Sequence, residues 1–137
     1  MPFLIDILAT TESTTVLQPA TRVIGNFTSS NNPDTTQMCI DSGIINVLPR
    51  LLSHRKKQIK REACWTLSNI AAGTPEQVQS VIQGGKGIIQ TMVEYAKNAV
   101  WEVRKEGEWG VCDIFIPLKI NSTSLSHTHL APPQPST

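Results

Sequence analysis

A tryptophan and an asparagine lie four residues apart in REACWTLSNIAAG, residues 61–73, a segment with a helical pattern. On a helix, Glu62, Trp65 and Asn69 span only about 60° of arc and therefore share one face. An Asn side chain has one acceptor and two donors, so it can bind both the N–H and the C=O of an extended peptide. A Trp ring can hold the stem of a Lys or Arg, with about 0.5–2 kcal/mol of cation–π attraction per contact. Glu62 would then take the cationic end, so these residues favour binding of a basic peptide.

The same set of residue types recurs in EGEWGVCDIF, residues 106–115. Glu106 precedes Trp109 by three residues, and Asp113 follows it by four. A single Trp on an amphipathic helix is usually a core residue, but packing alone would not require the acid and the polar residue to recur with it. The carboxylate of Asp113 accepts from a peptide N–H but cannot donate to a C=O. We therefore expect the second set to be the weaker half of a site.

These segments belong to an internal repeat. ATRVIGNFTSS, residues 20–30, aligns with ACWTLSNIAAG, residues 63–73, and places Asn26 43 residues before Asn69. Trp65 and Trp109 are 44 residues apart. Periods of about 40–47 residues are typical of helical armadillo and HEAT arrays. No segment alternates with a period of two, so we predict an all-α, armadillo-type right-handed superhelical solenoid of about two and a half repeats.

Each repeat is predicted to contain two shorter helices and a long one. Pro33 and Asp34 can start a short helix that ends at Gly43, and Pro49 in the next helix predicts a kink or a later start. Thr74 and Gln77 form a capping box for a further helix that stops at residues 84–85. Two stripes with helical spacing predict the core: Ile45, Leu48, Leu51 and Leu52, followed by Ile59, Ala63, Leu67 and Ile70.

Composition excludes several other classes of protein. The chain has 137 residues, a net charge of +1 and three cysteines without a CxxC pair. It contains no apolar run near the roughly 20 residues that a membrane span needs, so we expect no membrane partner. We find no nucleophile–base pair, no glycine-rich phosphate loop and no paired acids. We therefore expect no enzymatic activity, no cofactor and no metal site.

REACWTLSNIAAGTPEQVQSVI resembles the armadillo repeats of the importin alpha (karyopherin alpha) family, the adaptors for nuclear import. The family's signature is an acid, two small residues, Trp, and Asn four residues later, and EACWTLSN carries it. In the family's sixth repeat an Arg replaces the Trp before GN, and TRVIGN places Arg22 four residues before Asn26. The resemblance thus implies that residues 1–115 form an array with a partial sixth-like repeat (3–30), a seventh-like repeat (34–73) and an eighth-like repeat (75–115).

Those three repeats form the family's minor site for basic nuclear localisation signals. The resemblance therefore implies Lys/Arg-rich cargo peptides as partners and a location in the cytoplasm and nucleus, with Arg22 in a slot that the peptide does not use. The segment that binds importin beta and the major cargo site have no match here, so importin beta is expected as a partner only of a full-length relative. We expect a fragment of the array, with residues 116–137 as a disordered tail. The implied binding residues are Asn26, Glu62, Trp65, Asn69, Glu106, Trp109 and Asp113.

Two alternatives remain open at this point. The chain could be a truncated armadillo scaffold whose groove binds no cargo. HRKKQIKR, residues 54–61, could instead form a basic patch for nucleic acid, although the repeat places it at the solvated start of a long helix. We therefore do not expect nucleic acid as the partner.

Overall fold

The computed structural model describes residues 1–84, 87–88 and 90. Glu106, Trp109, Asp113 and the predicted tail at 116–137 lie outside the described residues. Within that part of the chain there are six helices and no strand, which confirms the all-α prediction. The helices are α1 (Pro2–Thr10), α2 (Thr14–Thr28), α3 (Pro33–Asp41), α4 (Ile44–Leu52), α5 (Lys57–Ala71) and α6 (Pro75–Gly84).

The internal repeat is visible in the helix boundaries. Both α2 and α5 contain 15 residues, and α5 begins and ends 43 residues after α2. These long helices share the largest helix–helix interface of the described chain, and α1 packs against α2 as α4 packs against α5. Helices α1 and α2 are therefore the second and third helices of one repeat. Helices α3, α4 and α5 form the next repeat, and α6 is the first helix of another. This is the arrangement of a stacked solenoid, in which each unit buries its apolar face against a neighbour.

Both predicted core stripes are buried. Ile59, Ala63, Leu67 and Ile70 of α5 have no exposed surface, and the α4 stripe is at most 5% exposed. Full burial of an Ile or Leu side chain stabilises the fold by about 1.5–3 kcal/mol relative to exposure. Because the stripes of α4 and α5 join one core cluster with residues of α1 and α2, the two repeats form one body.

Helix α4, the second helix of its repeat, begins directly after Gly43. Gly43 has a φ of 100°, in the left-handed region that favours glycine. Helix α4 runs from Ile44 to Leu52 with Pro49 inside it, so a later start of this helix is wrong. Pro49 has no N–H to donate to the carbonyl of Ile45, and α4 therefore loses one internal hydrogen bond. Apolar burial along α4 offsets that loss.

The capping box at the start of α6 is confirmed. The Gln77 N–H donates to Thr74 Oγ1 at 3.3 Å, and the Thr74 N–H donates to Gln77 Oε1 at 3.1 Å. Gln77 is buried, and its Nε2 also donates to the carbonyl of Pro33 at 2.9 Å. The same side chain therefore caps α6 and ties it to the start of α3.

Arg50 of α4 connects its repeat to helix α1 of the preceding repeat. Its guanidinium donates to the Leu8 carbonyl at 2.5 Å and to the Thr11 carbonyl at 2.7 Å, at the C-terminus of α1. A cation there satisfies carbonyls that the helix leaves without internal donors and complements the helix dipole. In the described residues, no helix is long and apolar enough to cross a membrane.

Candidate functional site

The three predicted binding residues of α5 differ in how much of each side chain is exposed to solvent. Glu62 is only 4% exposed, Asn69 is half-buried and Trp65 is 37% exposed. These three side chains lie together along the edge of α5 that faces α2, next to the core stripe: Glu62 pairs with Arg22, the Trp65 ring lies at Gly25, and Asn69 Nδ2 is near the Gly25 carbonyl. Trp65 thus offers part of its ring to solvent instead of placing all of it in the core.

The Trp65 ring lies close to the backbone of α2 at Gly25. A Cβ atom at position 25 would come within 2.5 Å of both Cε3 and Cζ3 of the indole, which is shorter than real Cβ contacts. Gly25 therefore provides the space that the ring occupies. Sequence analysis did not identify this role. The available signal was a glycine inside a long amphipathic helix, which costs about 1 kcal/mol relative to alanine unless packing requires it.

Arg22 of α2 lies over the Trp65 ring, with its Cζ 5.9 Å from the ring centroid. Its Nε and Nη2 both donate to Glu62 Oε1, at 2.7 and 2.5 Å. Gln58 Nε2 donates to the same oxygen at 2.9 Å. The hydrogen bonds and charge of Glu62 raise the pKa of Arg22, so the guanidinium stays charged. Arg22, Trp65 and Glu62 thus form one cation site that the chain fills itself.

Glu62 was expected to receive the cationic end of a peptide side chain. In the structure its carboxylate is buried and already paired with Arg22. A buried carboxylate is costly unless a cation and hydrogen-bond donors compensate it, and Arg22 and Gln58 provide that compensation. A peptide cation would therefore meet Glu62 through or beside Arg22.

The two asparagines lie on adjacent helices, one repeat apart. Asn69 Nδ2 lies 3.4 Å from the Gly25 carbonyl and 3.5 Å from Thr28 Oγ1. Both distances are beyond the usual 2.7–3.2 Å range, so the Asn69 amide is held weakly. Asn26 is exposed, and among residues 1–84 its side-chain amide has no hydrogen-bond partner. Both amides are therefore available to a peptide backbone, while Glu106, Trp109 and Asp113 lie outside the described residues.

The buried thiols of this region are poorly suited to act as nucleophiles. Burial raises the pKa of Cys64 to about 11 and also raises the pKa of Cys39, so both remain protonated at neutral pH. Within residues 1–84, 87–88 and 90, no group of three His, Cys, Asp or Glu side chains is placed to hold a metal ion.

Known proteins identify the class of this fold. The family model of the Armadillo/beta-catenin-like repeat matches residues 32–72. A designed armadillo repeat protein in complex with the peptide (KR)4 has a TM-score of 0.67 and 27% identity, over 94% of this chain and 58% of that chain. Another designed armadillo repeat protein has a TM-score of 0.62 and 27% identity, over 68% of this chain and 37% of that chain. Residues 32–72 thus match an armadillo repeat, and the described residues have an all-α solenoid fold similar to those of designed armadillo repeat proteins.

Curated relatives narrow the class to a type of armadillo repeat. The chain is 46% identical to Importin subunit alpha-1a of Oryza sativa subsp. japonica over 74 residues, which cover 53% of this chain and 14% of that protein. It is 41% identical to Importin subunit alpha-4 of Arabidopsis thaliana over 98 residues, which cover 72% of this chain and 18% of that protein. The repeats of this chain are therefore related to those of importin alpha, and the chain spans less than a fifth of the length of either relative.

Proposed function

We propose that the chain binds extended Lys/Arg-rich peptides across Asn26, Trp65 and Asn69, as a cargo-binding part of a nuclear import adaptor. The observation that carries the proposal is the contact of the Arg22 guanidinium with the Trp65 ring and the Glu62 carboxylate. The chain's own arginine makes there the two interactions that a basic peptide side chain would need. The chemistry of this face therefore suits a cation on a flexible stem.

The peptide would use the part of the Trp65 ring that Arg22 leaves open. Arg22 covers one side of the indole, so a Lys or Arg of the peptide would lie on the side toward the following repeat. There the resemblance to importin alpha implies that Trp109, Glu106 and Asp113 complete the slot. The weak contacts of the Asn69 amide can be exchanged for peptide N–H and C=O groups, and Asn26 would clamp the backbone one repeat earlier.

Two of the comparisons support this choice of ligand. The relatives named above are importin alpha subunits, and one structural neighbour is a designed armadillo repeat protein in complex with (KR)4. An adaptor of this kind would be present in both the cytoplasm and the nucleus. As a part of such an adaptor, the chain would bind importin beta only together with the segment that full-length relatives use for it.

The charges around the site favour a peptide over nucleic acid. A cavity of about 420 Å³ lies beside Arg22 and is also lined by Lys56 and by Glu62. Because the Glu62 carboxylate neutralises Arg22, this ion pair offers a phosphate no net positive charge. Binding of RNA or DNA would instead require several uncompensated cations and would fall steeply with salt.

Replacement of Trp65 by alanine tests the proposed function. Isothermal titration with a monopartite Lys/Arg-rich peptide should show binding to the wild-type chain, and Trp65→Ala should weaken it by about 1–3 kcal/mol, as for an interface hot spot. Phe3→Ala is the matched control, because Phe3 is an exposed aromatic residue on α1, away from the site. Circular dichroism should show both variants to be folded.

Two results would contradict the proposal. If a folded Trp65→Ala variant bound the peptide as tightly as the wild type, the indole would not form the slot. If the wild-type chain bound no basic peptide, it would instead be a scaffold without cargo. Tight binding of RNA with a steep salt dependence would favour the basic patch at residues 54–61.

A further inference from the structure

The cavity of about 420 Å³ beside Arg22 has no role in the proposed peptide site. Its lining includes Thr14, Gln18 and Arg22 of α2 and Lys56, which directly precedes α5. Arg22 also lies over the Trp65 ring, so the cavity and the proposed peptide slot share one side chain. A group bound in the cavity would therefore lie close to a peptide that contacts Trp65.

Several hydrogen-bond donors of the cavity lining are available to a ligand. Among residues 1–84, the Thr14 hydroxyl, the Gln18 amide and the Lys56 ammonium have no hydrogen-bond or ion-pair partner. Arg22 donates to Glu62 through Nε and Nη2, so its Nη1 group is not used in that pair. All four groups can donate a hydrogen bond, and the Arg22 and Lys56 groups cannot accept one. The cavity therefore suits a ligand with acceptor oxygens.

The charges of the lining indicate how many negative charges that ligand carries. Two cations, Arg22 and Lys56, and one carboxylate, Glu62, line the cavity, so its net charge is +1. Glu62 is buried and paired with Arg22, which leaves the charge of Lys56 uncompensated within the described part of the chain. A single carboxylate balances that charge, and its two oxygens can accept from Lys56 and from Arg22 Nη1 together.

We infer that the cavity binds the carboxylate of an Asp or Glu of the bound peptide, which rests on the proposed function. Glu62 and Lys56 precede Trp65 by three and nine residues. At 1.5 Å per residue, the cavity lies about 5–13 Å from Trp65 along the axis of α5. An extended peptide covers that distance in about two to four residues. The preferred ligand therefore carries an acidic residue two to four positions from the Lys or Arg that contacts Trp65.

A pair of matched peptides tests this preference by titration calorimetry on the full 137-residue chain. Both peptides contain the same Lys/Arg-rich cluster. One has Glu three positions before and three positions after the cluster, and the other has Gln at both places. We expect the Glu peptide to bind about two- to fivefold more tightly, the range of an exposed ion pair. Without a carboxylate site the opposite order is expected, since the Glu residues lower the positive charge of the peptide.

Lys56→Gln and Arg55→Gln form the matched pair of variants. Both residues are exposed and both substitutions remove one positive charge, but Arg55 does not line the cavity. Lys56→Gln should abolish the preference for the Glu peptide, and Arg55→Gln should retain it, with both variants shown by circular dichroism to be folded.

Three results would overturn the carboxylate site while leaving the proposed function intact. They are equal affinity of the wild-type chain for both peptides, an unchanged preference in Lys56→Gln, and an equal loss of preference in Arg55→Gln. The last result would assign the effect to the general charge of the turn before α5. If neither peptide bound the wild-type chain, the proposed function and the carboxylate site would both be wrong.

Discussion

Replacement of Gly25 by alanine should separate the stability of the helix stack from its peptide binding. The substitution adds one methyl group, which would lie 2.5 Å from two ring carbons of Trp65. Alanine in a helix interior is favoured over glycine by about 0.5–1 kcal/mol. Overpacking of a close contact costs about 1–3 kcal/mol. We therefore expect a net destabilisation of about 0–2.5 kcal/mol, since the steric cost exceeds the gain in helix preference.

Movement of the Trp65 indole determines whether the steric clash lowers stability or weakens peptide binding. Trp65 is partly exposed, so its ring can swing away from α2 and relieve most of the clash. The displaced ring would then no longer lie under Arg22 or form the wall of the proposed slot. Peptide binding should consequently weaken by about 1 kcal/mol or more, within the range expected for a hot-spot residue, even if stability changes little.

The assay combines urea unfolding followed by circular dichroism with titration of a monopartite basic peptide. Gly87→Ala is the control, because a Cβ there would meet Pro49 only at an ordinary 3.7 Å. A Gly25→Ala variant that gained about 1 kcal/mol of stability and bound peptide like the wild type would refute the reasoning. In that case the ring would not occupy the space above Gly25.

Three further outcomes are expected. Replacing Asp113 by Asn should strengthen binding of the basic peptide in calorimetry, because an amide can donate to a peptide C=O and a carboxylate cannot; weaker binding would contradict this role. Gln77→Ala should lower the unfolding free energy in urea by about 1–3 kcal/mol, since it removes the α6 cap and the hydrogen bond from Gln77 to the Pro33 carbonyl, whereas Gln79→Ala, at an exposed position of α6, should change it little. Burial raises the pKa of Cys64 from 9.0 to about 11, so unfolded chains lose this proton first and stability should fall as pH rises from about 9 to 11, by up to about 1.4 kcal/mol per unit. Cys64→Ala should remove this part of the slope, and an unchanged slope would show that other groups cause it.

Local signals predicted the helices well. The capping box of Thr74 and Gln77, the stop at Gly43 and the stripe through Ile59 and Ile70 all depend on residues within a few positions of one another. Such interactions form inside a single helix or turn, so they can be recognised from spacing alone. Pro49 shows the limit of local rules, because α4 continues through it where tertiary packing offsets one lost hydrogen bond.

The repeat period extended the prediction from single helices to their stacking. Asn26 and Asn69 are 43 residues apart, and α2 and α5 keep that offset at both ends. The period could therefore assign the order of helices in each repeat. It could not assign the partner of each polar side chain, since equivalent positions of two repeats need not have equivalent neighbours.

The sequence by itself determined the helices, the repeat unit and the set of polar residues that share a face of α5. Only the tertiary structure decided that Glu62 pairs with Arg22, that Gly25 makes room for the Trp65 ring, and that Val23 is exposed where its counterpart Thr66 is buried. Helix formation depends on residues three or four positions apart. The environment of a side chain on the helix surface depends instead on which helix lies beside it, and here that neighbour is about 40 residues away in the chain.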